Sequence, residues 1–179
     1  TESKLYLENK YGNVFISGWD KNTIEIIINI EAESKNADKA EKLLARVQTN
    51  IQTTKKLVTV TSEIGANEKG FFGRHISKID PFKNEKTTIS YTIYLPKFAL
   101  VEIYNKYGDI TIANWNGTLK ADIEHGDLRI SDELKNADLT VKYGKLNAVT
   151  LQESSIVSKD GFLTIHNGSN LKIESDGSE

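Results

Sequence analysis

Four glycines, Gly108, Gly126, Gly144 and Gly161, stand 18, 18 and 17 residues apart, and each opens the same short pattern. Two residues after each glycine comes Ile110, Leu128, Leu146 or Leu163, and four residues after comes Ile112, Ile130, Ala148 or Ile165. Upstream, Val101 and Ile103, then Leu119, Ala121 and Ile123, then Leu139 and Val141 also alternate with polar residues. Alternation at period two marks strands with one buried face. Each unit therefore reads as strand, glycine corner, strand, second corner. The second corners carry turn residues at 114–117, 131–136 and 167–170. Two architectures fit. In a parallel β-solenoid each unit is one coil, and equivalent strands stack at about 4.8 Å. In an antiparallel β-meander the chain would fold back at KYGD, EHGD and KYGK. Two-residue hairpins prefer Asn-Gly or Asp-Gly, whereas a near-constant period with equivalent positions in phase is what stacked coils require. The solenoid is the favoured reading and the meander its alternative.

The same unit occurs once more, far upstream. NKYGNVFISGWD at 9–20 is nearly repeated as NKYGDITIANWN at 105–116. Leu5, Leu7, Val14 and Ile16 take the places of Val101, Ile103, Ile110 and Ile112. Residues 1–18 are thus expected to form a first coil stacked against 100–116. The glycine-punctuated repeats occupy 100–179, and residues 20–99 are an insertion within one domain. Inside it, Ile24, Ile26, Ile28 and Ile30 predict a strand. The run 34–50 predicts one helix, capped at Ser34 or Asn36, with Ala37, Ala40, Leu43, Leu44 and Val47 at helical spacing. Strands follow at about 56–64 and 87–95, so the insertion reads β-α-β-β, and Pro96 stops the last ladder.

Composition narrows the function classes. Of 179 residues, 38% are hydrophobic and 27% charged, which is globular rather than disordered. A formal charge of −2 with interspersed basic residues argues against nucleic acid as a partner. No stretch is apolar enough for a transmembrane helix. The absence of cysteine removes disulfides, thiolate zinc sites and a cysteine nucleophile. The first residue is Thr1 rather than Met, the expected beginning of a mature or trimmed chain whose signal or anchor has been removed.

The order of KYGNVFISGWD, a strand, a helix containing KLLARVQ, a strand, a polar loop, then TISYTIYLPKFALVEIYNKYGDITI resembles a bacterial family of unknown function labelled "putative adhesin", with toastrack-type β-repeat domains. The GDITI, GDLRI, GKLNAV and GFLTI series carries the resemblance furthest. It implies a β-helix-like fold, an extracytoplasmic location in the periplasm or at the cell surface, and a role in binding or sensing, including envelope-stress signalling. It supplies no catalytic residues.

Candidate sites follow from the repeat and from its interruption. The residue before each glycine is Tyr11, Tyr107, His125, Tyr143 or Asp160, which stacking would align in a column along one corner. Such a column reads either as a strip of rings for a sugar or peptide, or as a ladder protecting the turn backbone. In GFFGRH, Phe71, Phe72, Arg74 and His75 lie within a long aperiodic stretch, and adjacent phenylalanines there read as an apolar tip for a partner or as a residue folded back on the core. Asp109 and Asp127 follow their glycines, as carboxylates do in calcium-binding repeats. The doubled period, and Lys145 and Phe162 at the later equivalents, argue against a metal. Trp19 and Trp115, each seven residues past a glycine, read as plugs over the core or, alternatively, as rings on which a carbohydrate stacks. The three histidines, His75, His125 and His166, are far apart, and HExxH, GxSxG, phosphate-loop and dinucleotide patterns are absent. The expected protein is a non-catalytic envelope module without cofactor, whose partner is a protein or a glycan. A carbohydrate-active enzyme and a structural spacer are the alternatives.

Overall fold

The computed structural model describes residues 3–65 and 85–179. Their elements run β1 (Lys4–Lys10), β2 (Val14–Trp19), β3 (Glu25–Glu33), α1 (Ala37–Leu44), β4 (Val47–Thr53), β5 (Leu57–Ile64), β6 (Lys86–Pro96), β7 (Leu100–Lys106) and β8 (Ile110–Ala113). They continue with β9 (Thr118–Glu124), β10 (Leu128–Leu134), β11 (Asn136–Lys142), β12 (Lys145–Gln152), β13 (Ser155–Lys159), β14 (Phe162–Ser169) and β15 (Lys172–Asp176). One sheet has the order β15-β13-β11-β9-β7-β1-β5-β4, and the facing sheet has the order β14-β12-β10-β8-β2-β6-β3. Successive coils contribute one strand to each sheet.

The pairing decides between the two architectures. Ile110, Thr111 and Ile112 pair in parallel with Leu128, Arg129 and Ile130, and Leu128 to Ile130 pair in parallel with Leu146 to Ala148. The chain is a β-solenoid and not a meander. The upstream copy stacks where its sequence places it. Leu5 pairs with Val101 and Leu7 with Ile103 in one sheet, while Val14 pairs with Ile110 and Ile16 with Ile112 in the other. Inward side chains from both sheets form one continuous apolar core, including Leu5, Ile16, Ile103, Ile123, Leu139 and Ile156.

Part of the insertion joins the stack. β5 pairs in parallel with β1, and β6 in parallel with β2, so together they make a further layer, although the sequence between them carries no KYG corner. β4 and β3 then close this end in antiparallel pairing with β5 and β6. α1 links those two edge strands and packs on β3. Asn36 is its N-cap, accepting from the Lys39 amide at 3.3 Å, and Leu43 is its buried residue. The helix is shorter than the 34–50 run suggests. Val47 instead begins β4, a strand beyond those expected, whose later residues are all exposed and so leave no period in the sequence.

Glycine recurs because the corners touch. A Cβ on Gly108 would lie 2.0 Å from the carbonyl oxygen of Gly12, and one on Gly126 would lie 2.0 Å from that of Gly108. Each corner backbone rests directly on the one before it, so no side chain fits between them.

Candidate functional site

The residue before each corner glycine adopts the left-handed conformation: φ is 65° at Tyr11, 59° at Tyr107, 56° at His125, 56° at Tyr143 and 48° at Asp160. This region is sparsely populated by residues with bulky side chains. The coils bring four rings into one column as expected. Centroids are 5.2 Å apart for Tyr11 and Tyr107, 5.0 Å for Tyr107 and His125, and 4.8 Å for His125 and Tyr143, with interplanar angles of 6°, 3° and 14°. Strand spacing, about 4.8 Å, sets this repeat. The rings cover one another's faces, so the column presents ring edges to solvent, and its tyrosines remain 39–45% exposed. It therefore offers a row of edges rather than a platform on which a sugar face lies flat.

A lysine row runs beside it. Cross-strand register aligns Lys10, Lys106, Glu124, Lys142 and Lys159, each immediately preceding its corner residue. The Lys10 ammonium lies 4.8 Å from the Tyr11 ring centroid, and that of Lys106 lies 5.2 Å from Tyr107. Lys106 also donates to Glu124 at 2.6 Å, which raises the lysine's pKa and lowers the glutamate's. Glu124 is thus neutralised within the row, and the same Oε1 lies 3.4 Å from His125 Nε2. A trough of about 680 Å³ borders this row, lined by Lys10, Tyr11, Glu63, Tyr104, Lys106 and Glu124 among others.

On the far flank the acidic residues are already engaged. Asp109 Oδ1 accepts from the Asp127 amide at 2.9 Å, and Asp127 Oδ1 accepts from the Lys145 amide at 3.0 Å. Their second oxygens take the two arms of Arg129 at 3.1 and 3.0 Å. A guanidinium sits where a cation would have to bind.

Two features under and beside the corner escape a reading of rings and glycines alone. Asn9 and Asn105, both 3% exposed, form a buried ladder. Ser62 Oγ donates to Asn9 Oδ1 at 2.6 Å, Asn9 Nδ2 donates to Asn105 Oδ1 at 3.1 Å and to Ile89 O at 3.0 Å, and Asn105 Nδ2 donates to Gly12 O at 3.1 Å and Gly108 O at 2.8 Å. The signal was available: in LYLENKYG and VEIYNKYG the asparagine falls in the inward phase of the alternation. Glu102 is the second feature. It accepts from Lys4 at 2.7 Å, Tyr104 Oη at 2.9 Å and Lys120 at 3.1 Å, and these bonds hold its carboxyl at about 2.

The other candidates part company. Trp115 is 1% exposed and plugs the core, whereas Trp19, where the chain leaves for the insertion, stacks on Tyr94 at 5.5 Å and donates to Thr23 O at 2.8 Å. His166 lies on the exposed side of β14 and outside the ring column. Phe71, Phe72, Arg74 and His75 lie outside the described residues.

No protein-family profile matches the chain, and no curated protein shows significant similarity to it. Among solved structures, it is similar to a putative cell adhesion protein from Clostridium sporogenes, with 13% identity, 99% of this chain and 90% of the other covered, and a TM-score of 0.40. It is also similar to a putative adhesin from Bacteroides fragilis, with 16% identity, 99% and 91% covered, and a TM-score of 0.39. Both neighbours bear the label implied by the sequence resemblance. At these scores neither decides what this chain binds. None of the described residues forms a helix long and apolar enough to cross a membrane.

Proposed function

We propose that the chain is a non-catalytic, extracytoplasmic β-solenoid module that recognises a partner at the cell envelope, and that the contact surface is the ring column with its lysine row. The observation that carries this reading is conformational. Tyr11, Tyr107, His125 and Tyr143 all stand in left-handed backbone, where Gly or Asn would turn the corner with less strain. Each such ring costs about 1–2 kcal/mol of backbone strain. Each stacked pair returns about 0.5–1.5 kcal/mol. Four strained residues cost about 4–8 kcal/mol and three stacks return about 1.5–4.5, so stacking does not offset the strain. Stability alone therefore gives little reason to keep four rings in register on an exposed edge, and recognition does. The shifted carboxylates agree with a role other than catalysis. Glu102 and Glu124 are both held low by cationic partners, the direction of an ion pair rather than of a general acid poised near neutrality.

The test is co-sedimentation with isolated bacterial envelopes, comparing the wild-type chain with Tyr11→Asn/Tyr143→Asn. Asn tolerates positive φ, so the double variant removes the two end rings without straining the turns. Retention of the wild type that falls in the variant, with unchanged circular dichroism, supports the reading. Equal retention of both, or none for either, overturns it and leaves a spacer.

A further inference from the structure

We infer that the ring column and lysine row take a linear, acidic polysaccharide lying along the solenoid axis, one sugar unit per coil. The inference rests on the proposed use of this surface and adds its ligand class. Three observations carry it: repeat, direction and charge.

The repeat comes first. Ring centroids are 5.2, 5.0 and 4.8 Å apart from coil to coil. A ligand that meets every ring equivalently must advance by the same step. An extended peptide advances about 3.3 Å per residue and falls out of phase by the second ring. A pyranose unit in an extended, equatorially linked chain is close to one strand spacing in length and stays in phase.

The direction follows from the stack. Equivalent groups recur from coil to coil, and within one coil nothing comparable repeats. A polymer laid across the coils would meet one ring and one lysine. A polymer laid along the axis meets four rings, and Lys10, Lys106 and Lys142 beside them. Phenol and imidazole edges offer hydrogen-bonding groups, as sugar hydroxyls require, whereas the ring faces are already taken.

Charge then selects the polymer. In the row flanking the rings, lysine stands beside Tyr11, Tyr107 and Tyr143, and the single acid, Glu124, is bonded by Lys106 at 2.6 Å. On the opposite flank, Arg129 neutralises Asp109 and Asp127 at 3.1 and 3.0 Å. The row next to the rings is therefore net cationic and the opposite flank balanced, although the trough beyond the row is also lined by Glu8, Glu63 and Asp122 and the whole chain carries −2. Among the described residues Lys10 forms no ion pair and Lys142 forms a loose one with Asp122 at 3.9 Å, which leaves both ammonium groups to meet carboxylates spaced along a glycan.

The experiment is a titration of the full chain with β-1,4-linked oligomannuronates of increasing length, with neutral cello-oligosaccharides of matched length, and with oligo-dT as a polyanion lacking sugar acids. Affinity is expected to rise with oligomannuronate length until about one unit per ring is engaged and then to level off. Lys10→Gln/Lys142→Gln is expected to weaken it at least about tenfold, and so is Tyr11→Asn/Tyr143→Asn. Equal binding of the neutral oligomers, or of oligo-dT, overturns the inference. So does the absence of oligomannuronate binding while envelope retention remains ring-dependent, an outcome that leaves the proposed function standing. Loss of ring-dependent envelope retention itself defeats the earlier reading, whatever the sugars do.

Discussion

Each coil turns twice, and the two corners solve the same problem with different residues. At the glycine corner the left-handed position holds Tyr11, Tyr107, His125, Tyr143 and Asp160. At the opposite corner it holds Asn114, Glu153 and Asn170, with φ of 54°, 42° and 54°. Asn is the inexpensive answer to a positive φ. The opposite corner uses it, varies in length from coil to coil and carries no ring at the left-handed positions Asn114, Glu153 and Asn170. The glycine corner keeps a nearly constant period, rests backbone on backbone and lines up its rings. One corner is built to turn the chain. The other also presents what stands on it.

The comparison is sharpest where its two sides can be exchanged. The largest effect is expected at the tight corner: Gly126→Ala places a Cβ 2.0 Å from the Gly108 carbonyl and should lower unfolding free energy by about 3 kcal/mol in urea melts. Lys135→Ala, at the exposed opposite corner, should stay within about 0.5 kcal/mol in the same assay. Asn105→Ala comes next. It strands the buried carbonyls of Gly12 and Gly108 and should cost about 2 kcal/mol. A smaller loss is expected for Asn114→Tyr, which puts a ring in left-handed backbone without a stacked neighbour and should cost about 1 kcal/mol. If that variant proves neutral, the strain argument fails.

The smallest effect belongs to pH. Glu102 is lowered from 4.5 to about 2 in the folded chain, so it contributes stability that is present above pH 4.5 and disappears as pH falls toward 2. Glu102→Gln should flatten that part of the stability profile. An unchanged acid limb in the variant would show that other carboxylates govern it.

Much of this architecture was legible in the residues, because a solenoid writes its register into its period. Gly108, Gly126, Gly144 and the two NKYG segments place β1, β2 and their partners correctly, and the ring column follows from the position before each glycine. What was hidden has physical reasons. β4 is an edge strand held by backbone pairing with β5 and exposed beyond Val47, so hydrophobic periodicity carries no trace of it, and the helical reading of KLLARVQ ran into it. The β5–β6 layer is masked because the sequence between its strands carries no KYG corner. Asn9 and Asn105 look like turn residues until their inward phase is counted. The lysine row was visible as the residue before each corner tyrosine, but only register shows that Lys10, Lys106, Lys142 and Lys159 share one flank. Nothing in the period says that the rings would stack face to face, which changes the column from a platform into a row of edges.

The central claim is that the ring corner is kept for what it presents rather than for stability. Equilibrium urea unfolding of Tyr11→Asn/Tyr143→Asn tests it most directly. Two relieved turns against two lost stacks predict a change within about 1 kcal/mol of wild type. A loss of about 3 kcal/mol or more would show that the stacked rings hold the corner together, and would contradict the account.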